Sequence, residues 1–448
     1  MDKYCRDKNC SEKGKICIPS TGKPRVVVIG GGFAGLSLIR HLKNKPVQVI
    51  LLDKNNHHQF LPLLYQVATS GTPPDSIVFP FRKIFRNYKN VIFRMAGVME
   101  INTVHKMVIS SIGKIKYDYL VIAGGSVNNF FGNQNFRQYS TGLKSVVNAL
   151  DIRSRLLQNL ERAAISCVDT DKKQLASVAI VGGGPAGIEM AGALAEFRKF
   201  VLPKDYPELK DSGMKISLLE GTGSLLAAMP ENLSAKTLKY LRKMQVEVRL
   251  NTLVKSYDGT NVELSNGETF GAATFIWTAG VKAVTFDGIP ESLTKTLSRI
   301  GVDEFNRVPN LKNVFAIGDV AQMKTKDYPD GHPMVAQPAI QQGKNLALNI
   351  LRQLSSQPLK PFRYTNKGSL ATIGKKKAVA YIYGLTFSGF IAWIIWSAVH
   401  LMSIIGVRNR LFIALSWLLS YFTFDKGDRV IIRKYKKEVL TEDRIVEL

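Results

Sequence analysis

Acidic residues are scarce beside basic ones in this 448-residue chain: 35 Asp and Glu stand against 61 Lys and Arg, a formal charge of +26. Such a surface suits a polyanion, either nucleic acid or an anionic membrane. Nucleic acid is disfavoured, because no basic helix with interleaved aromatics and no other recognition motif is present. Cysteine is scarcer still. There are 4, and Cys5, Cys10 and Cys17 crowd into the first 17 residues, leaving Cys167 by itself. The spacing of the first three does not fit a zinc-ribbon pair and no histidine lies nearby, so no metal site is expected. No C-x-x-C pair follows the first glycine cluster, which argues against disulfide-exchange chemistry. No apolar stretch follows Met1, so no signal peptide is expected and the folded part is placed in the cytoplasm.

Hydrophobic residues make up 45% of the chain and its length allows two or three domains. Residues 1–23 are polar and read as a tail. Arg25–Gly35, RVVVIGGGFAG, opens the first ordered unit. Val and Ile without polar alternation predict a buried parallel strand. Gly30, Gly32 and Gly35 then form G-x-G-x-x-G and lead into a helical run at Leu36–Leu42. That turn gathers backbone N–H groups and a positive helix end at one point, which suits a pyrophosphate. A second strand, Val47–Leu52, ends in Asp53, an acid placed to accept from a ribose hydroxyl. A glycine turn that merely packs a helix on a sheet would explain the glycines but not Asp53.

The pattern returns downstream. VAIVGGGPAGIEMAGALAE, from Val178, has Gly182, Gly184 and Gly187 before a helix, and the strand Lys215–Leu219 ends in Glu220. Lys199–Gly213 intervenes as an insertion. Two such units form a coarse internal repeat and predict an α/β protein with two Rossmann-type dinucleotide-binding domains. A carboxylate at Glu220 accepts from a free ribose 2′-OH and repels a 2′-phosphate, so it favours NADH over NADPH if this unit holds the nicotinamide cofactor.

Between and after these units, Asn55–Gly71 mixes His, Gln, Tyr and Thr with Leu and Pro and reads as a loop and helix facing a ligand. His57 and His58 read as loop histidines. Val91–Leu120 predicts short antiparallel strands with a turn at Gly113, Tyr117–Gly125 a buried strand ending on glycine, and Ser145–Ala164 a helix. Phe275–Val281 and Asn313–Ala321 are further strands. The second ends at Gly318-Asp319, where the aspartate can serve a ribityl or pyrophosphate group or cap a helix.

On these residues the chain resembles the flavin-dependent pyridine-nucleotide oxidoreductases of glutathione-reductase-like fold. Within them it is similar to the type II NADH:quinone oxidoreductases. The motifs are GGGFAG at Gly30–Gly35, PLLYQVAT at Pro62–Thr69, GGGPAGIEMAG at Gly182–Gly192, FAIGDVA at Phe315–Ala321 and AQPAIQQG at Ala336–Gly343. The resemblance implies FAD on Gly30, Gly32, Gly35 and Asp53, with Gly318 and Asp319 closing the flavin side. It implies NADH on Gly182, Gly184, Gly187 and Glu220. It places Glu189 beside the flavin and Gln337 and Gln341 on the quinone side. The expected division is a tail at 1–23, an FAD-binding domain at 24–144 and 296–372, an NADH-binding domain at 145–295 and a C-terminal membrane-anchor region at 373–448.

The expected activity is transfer of hydride from NADH to FAD and of two electrons to a membrane quinone, without proton pumping. Ala123-Gly124-Gly125 departs from the family's Ala-Thr-Gly, and the cysteine-bearing tail lies outside its pattern. A sulfide:quinone oxidoreductase is the first rival, weakened by the want of a second cysteine in the folded body. A membrane-bound FAD/NADH sensor without turnover is the other.

Leu385–Val407, 23 residues with Trp393 and Trp396, contains no Asp, Glu, Lys or Arg. Its length would allow a membrane span, yet basic residues flank it on both sides. Thr386, Gly389, Trp393, Ser397, His400 and Ser403 recur as a narrow stripe at helical spacing. The preferred reading is two helices lying in the membrane interface, with Trp and Tyr421 at headgroup depth, on the cytoplasmic face and against anionic lipid. A transmembrane hairpin and a homodimer interface are the alternatives.

Overall fold

The structure, a computed structural model, describes residues 18–210, 213–423 and 427–431. The readings made for Cys5, Cys10, Cys17, Lys426 and the Tyr421 side chain fall outside the described residues. Ile18 and Pro19, assigned to the tail, pack on the body. Ile18 joins a hydrophobic cluster, and Gln48 Nε2 donates to Pro19 O at 2.6 Å.

In chain order the elements that position the site begin with β1 (Arg25–Ile29), α1 (Phe33–His41), β2 (Gln48–Asp53), α2 (Leu64–Ala68), β3 (Val91–Met95) and β4 (Tyr119–Ile122). There follow α3 (Val146–Ile165), β5 (Val178–Val181), α4 (Pro185–Phe200), β6 (Ile216–Leu219), α5 (Glu231–Lys243), β7 (Glu247–Arg249) and β8 (Thr274–Trp277). The chain ends with β9 (Val314–Ala316), α6 (Ala336–Leu354), β10 (Ser369–Gly374), β11 (Lys377–Ile382), β12 (Leu385–Gly389), α7 (Phe390–Ser403) and α8 (Val407–Thr423).

Two parallel sheets result. The first runs β9-β4-β1-β2-β3, so the chain leaves this unit and returns to complete it. The second runs β8-β5-β6-β7, with Thr141–Gly142 beyond β8. Both have the half-Rossmann order, in which the first strand lies mid-sheet and its glycine turn opens at the topological switch point. The burial of β1, β5 and β8 follows from their apolar runs, since each sheet is covered on both faces: by α1 and α6 or by α3 and α4 on one side, and by the antiparallel strands within 98–116 or 254–271 on the other. β3 joins the parallel sheet, and the antiparallel part of the expected 91–120 region is Val98–Lys116. α3 starts where Ser145 predicts, its hydroxyl accepting from Asn148 N at 3.1 Å.

The C-terminal region departs from expectation. β10, β11 and β12 form an antiparallel sheet, so Thr386 and Gly389 belong to a strand and the helical stripe through them does not exist. A turn at Ile404–Gly406 then separates α7 from α8. At 14 and 17 residues, these helices are about 21 and 26 Å long, short of a hydrocarbon core of about 30 Å. Among the described residues no helix is long and apolar enough to cross a membrane. Trp396 is 2% exposed and packs inward rather than sitting at a headgroup.

Candidate functional site

Two glycine cradles are built alike. Gly30 and Gly182 have φ of +97° and +109°, backbone that an L side chain resists. A Cβ on Gly35 would lie 2.0 Å from Gly30 O, and one on Gly187 2.0 Å from Gly182 O, so strand and helix meet backbone to backbone. A Cβ on Gly32 or Gly184 would meet nothing within 4 Å. Neither α1 nor α4 has a side-chain cap at these residues. Open space over uncapped helix N–H groups is what a pyrophosphate needs. These residues therefore fit the pyrophosphate of a dinucleotide such as FAD or NADH at each cradle.

The acids do more than face a ribose. Asp53 Oδ2 accepts from Gly31 N at 2.7 Å and Oδ1 from Asn55 N at 2.8 Å. Glu220 Oε2 accepts from Gly183 N at 2.5 Å, and Oε1 accepts from Thr222 N and Oγ1, each at 2.8 Å. Each acid thus braces the middle of its own glycine loop, with lone pairs to spare for a ligand hydroxyl. Burial pushes the Asp53 carboxyl up, and the Gly31 and Asn55 N–H groups pull it back.

Gly318 and Asp319 close over α1. Gly318, at φ +75°, donates its N–H to Gln342 Oε1 at 2.7 Å. Asp319 Oδ2 accepts from Ser126 Oγ at 2.5 Å and lies 4.0 Å from Lys144 Nζ. Lys144 in turn donates to Ser126 at 2.8 Å. Burial lowers the Lys144 pKa and Asp319 opposes that shift. Sequence reasoning missed both Lys144 and Gln342. The former lies in an unremarkable GLKS stretch, and the latter is one of two adjacent glutamines in AIQQG.

Glu189 lies on α4, which Gly192 lets approach β10 closely: a Cβ there would fall 2.1 Å from Ile373 O. The Thr372 N–H consequently reaches Glu189 Oε1 at 3.5 Å. The carboxyl is 8% exposed and lines a cavity of about 120 Å³ shared by three parts of the chain. The first unit supplies Tyr65 and Gln66, the second Glu189 and Glu196, and the C-terminal helices Trp396 and Trp417. Burial lifts Glu189 to about 8, opposed by the Thr372 N–H and by the nearby Trp396 indole. That indole makes no well-formed hydrogen bond, and neither does the buried Ser397 hydroxyl on the same wall. Gln66 fixes the join between the first unit and α8. It donates to Tyr65 Oη at 2.9 Å and accepts from Trp417 Nε1 at 3.0 Å. Burial, and then the Glu189 charge, push the Tyr65 phenol well above its ordinary range. The Asn55–Gly71 segment therefore does face a cavity, while His58 turns into the core and meets Gly31 O at 3.0 Å.

Gln337 sits in the first turn of α6, half-buried. Gln341 is one turn on, with its amide paired to the Thr365 backbone: Nε2 donates to Thr365 O at 2.9 Å and Oε1 accepts from Thr365 N at 3.0 Å. Neither glutamine lines the Glu189 cavity.

The chain matches known proteins along nearly its whole length. The family described as pyridine nucleotide-disulphide oxidoreductase matches residues 24–343, and the NDH2 C-terminal domain matches residues 366–423. The type II NADH:quinone oxidoreductase Ndh of Mycobacterium tuberculosis is 34% identical over 426 residues, covering 91% of this chain and 90% of that protein. Among solved structures, NDH2 from Plasmodium falciparum in complex with NADH superposes with a TM-score of 0.83 at 20% identity, over 92% of this chain and 100% of that one. The sulfide:quinone oxidoreductase of Aquifex aeolicus gives 0.69 at 19% identity, over 86% of this chain and 92% of that one. At such identities the two structures speak for the fold.

Proposed function

The chain belongs to the type II NADH:quinone oxidoreductases, within the pyridine nucleotide-disulphide oxidoreductase family, and on that premise we propose that quinone is reduced at the cavity lined by Glu189, Tyr65 and Trp396. The protein is an FAD-dependent NADH:quinone oxidoreductase. When bound, FAD supplies hydride acceptance from NADH and electron donation to the quinone. The residues of the chain orient, exclude water and handle protons. One observation carries the reading: both nucleotide units and the C-terminal helices contribute walls to this single cavity.

NADH brings two electrons and one hydrogen, so making a quinol draws one further proton from solution. Glu189, lifted to about 8, holds a proton at neutral pH and stands where a quinone would meet it. Ser397 Oγ, buried with no hydrogen bond, and Trp396 Nε1, which faces Glu189 without a well-formed hydrogen bond, are donors suited to quinone oxygens. Gln337 and Gln341, which the resemblance put on the quinone side, lie outside this cavity, and in this reading Gln341 acts only by holding the Thr365 strap. Residues 390–423 contain no Asp or Glu, so these helices offer no carboxylate relay for proton pumping.

The membrane enters here too. Ile391 on α7 and Leu411 on α8 are 62% and 66% exposed, and Ile394, Met402, Leu415 and Leu418 extend the same apolar surface. Helices too short to span yet apolar outside suit burial in the plane of a membrane surface. This would bring a membrane quinone to the cavity. A homodimer through this surface is the competing use. The sulfide alternative lacks a cysteine pair among the described residues, where Cys167 is exposed.

The test is Glu189→Gln in the flavin-loaded enzyme. Turnover with NADH and quinone should fall by about 10²-fold, the scale of a lost proton-transfer group, with flavin content unchanged. Undiminished turnover would overturn the role of Glu189.

A further inference from the structure

The NADH-binding unit carries its own cationic face beside the apolar surface of the C-terminal helices. On α5, Lys236, Lys239, Arg242 and Lys243 are all exposed, and none is ion-paired among the described residues. The helix has one acid, Glu231, at its first position. A merely soluble helix face usually interleaves both signs. Here the far half is all cation, and Ala235 and Leu238 floor a shallow groove between Lys239, Arg242 and Lys243.

Position gives this face a partner. Lys236 Nζ donates to Ser388 Oγ at 3.1 Å. Tyr240 Oη lies 3.6 Å from where a Cβ on Gly389 would stand, at the start of α7. The cationic face therefore borders Tyr383 and Leu385, 70% and 63% exposed, and the exposed Phe390 and Ile391 that follow. An apolar surface with a cationic rim complements a bilayer whose headgroups are anionic. We propose that α5 is a second membrane contact, which binds anionic phospholipid headgroups while α7 and α8 lie among the acyl chains. Two contacts, one on the NADH unit and one on the C-terminal helices, fix the tilt of the enzyme over the bilayer. A single pair of in-plane helices would leave it free to rock. The inference rests on the membrane reading above.

The flavin-loaded full chain is sedimented with phosphatidylcholine vesicles, with and without phosphatidylglycerol, at low and high salt. The comparison is with Lys236→Gln, Lys239→Gln, Arg242→Gln and Lys243→Gln combined. Each cation near an anionic surface is worth about fivefold in partition. The quadruple variant should lose up to several hundredfold, about 600-fold if all four cations act in full, on phosphatidylglycerol vesicles, and salt should erase the difference. Its binding to pure phosphatidylcholine and its rate with a water-soluble quinone should match wild type. Equal partition of variant and wild type on the anionic vesicles would overturn the inference while leaving the membrane reading standing. A wild type that binds neither vesicle would overturn both. A variant that changes from dimer to monomer would assign the face to a second copy of the chain and overturn the lipid reading.

Discussion

The two nucleotide units share a plan and differ in what covers their first helix. In each, a central strand turns on a positive-φ glycine into an uncapped helix, and the next strand ends in an acid that braces the loop. The difference shows two residues after the last glycine of each turn, Gly35 and Gly187, where Ser37 on α1 and Glu189 on α4 occupy equivalent places. α1 is sealed by α6: a Cβ on Gly343 would lie 2.4 Å from Ala34 O, and Ser37 Oγ donates to Ile340 O at 2.7 Å. That lid belongs to the same unit and suits a resident cofactor. α4 is covered by β10, from the C-terminal region, which leaves Glu189 facing a cavity. The same local motif therefore gives a sealed helix in one unit and a titratable group facing a cavity in the other.

The largest expected effect concerns that titratable group. Glu189 keeps its proton in the fold up to about pH 8, whereas in an unfolded chain it loses it near 4.5. Between those values the unfolded state alone releases a proton, so stability of the flavin-free protein should fall as pH rises through the window and level off above it. A shift of that size corresponds to roughly 5 kcal/mol. Denaturant unfolding at several pH values should show this slope in wild type and lose it in Glu189→Gln. A Ser37→Ala variant should leave the slope intact.

Next come the glycines. Gly35→Ala should empty the flavin site, read as lost flavin absorbance. Gly187→Ala should keep the flavin and slow its reduction by NADH about 10²-fold, the scale of an ångström-sized misplacement. If both variants lost flavin equally, the assignment of one cofactor to each unit would be wrong. The smallest effect is selectivity. Glu220→Gln should raise the NADPH-to-NADH ratio of kcat/KM about tenfold, because the repulsion of a 2′-phosphate is gone. Asp53→Asn should not change that ratio.

The local half of this structure was legible in the residues. Glycine spacing, strand-end acids and the Ser145 cap are short-range patterns whose chemistry does not depend on distant neighbours. What was not legible depends on tertiary partners. Gln341 and Gln342 are adjacent, but about 100° apart around α6: one meets the Thr365 strap and the other Gly318. No sequence pattern distinguishes them before the strap is placed. The apolar run from Leu385 was read by length and helical spacing, yet composition cannot separate a short apolar strand from a helix. The turn at Tyr383-Gly384, with Gly384 at φ +86°, was the available signal for a hairpin. Trp396 was placed at the surface because tryptophan favours membrane interfaces, whereas packing against α4 and Trp417 buries it.

The most direct test of the account is NADH oxidation by the flavin-loaded protein in lipid, with and without a short-chain quinone, and with NADPH and sulfide as alternative donors. The account predicts sustained turnover that requires quinone, prefers NADH to NADPH and does not occur with sulfide. Flavin that NADH reduces but no quinone reoxidises, or turnover driven by sulfide, would contradict it.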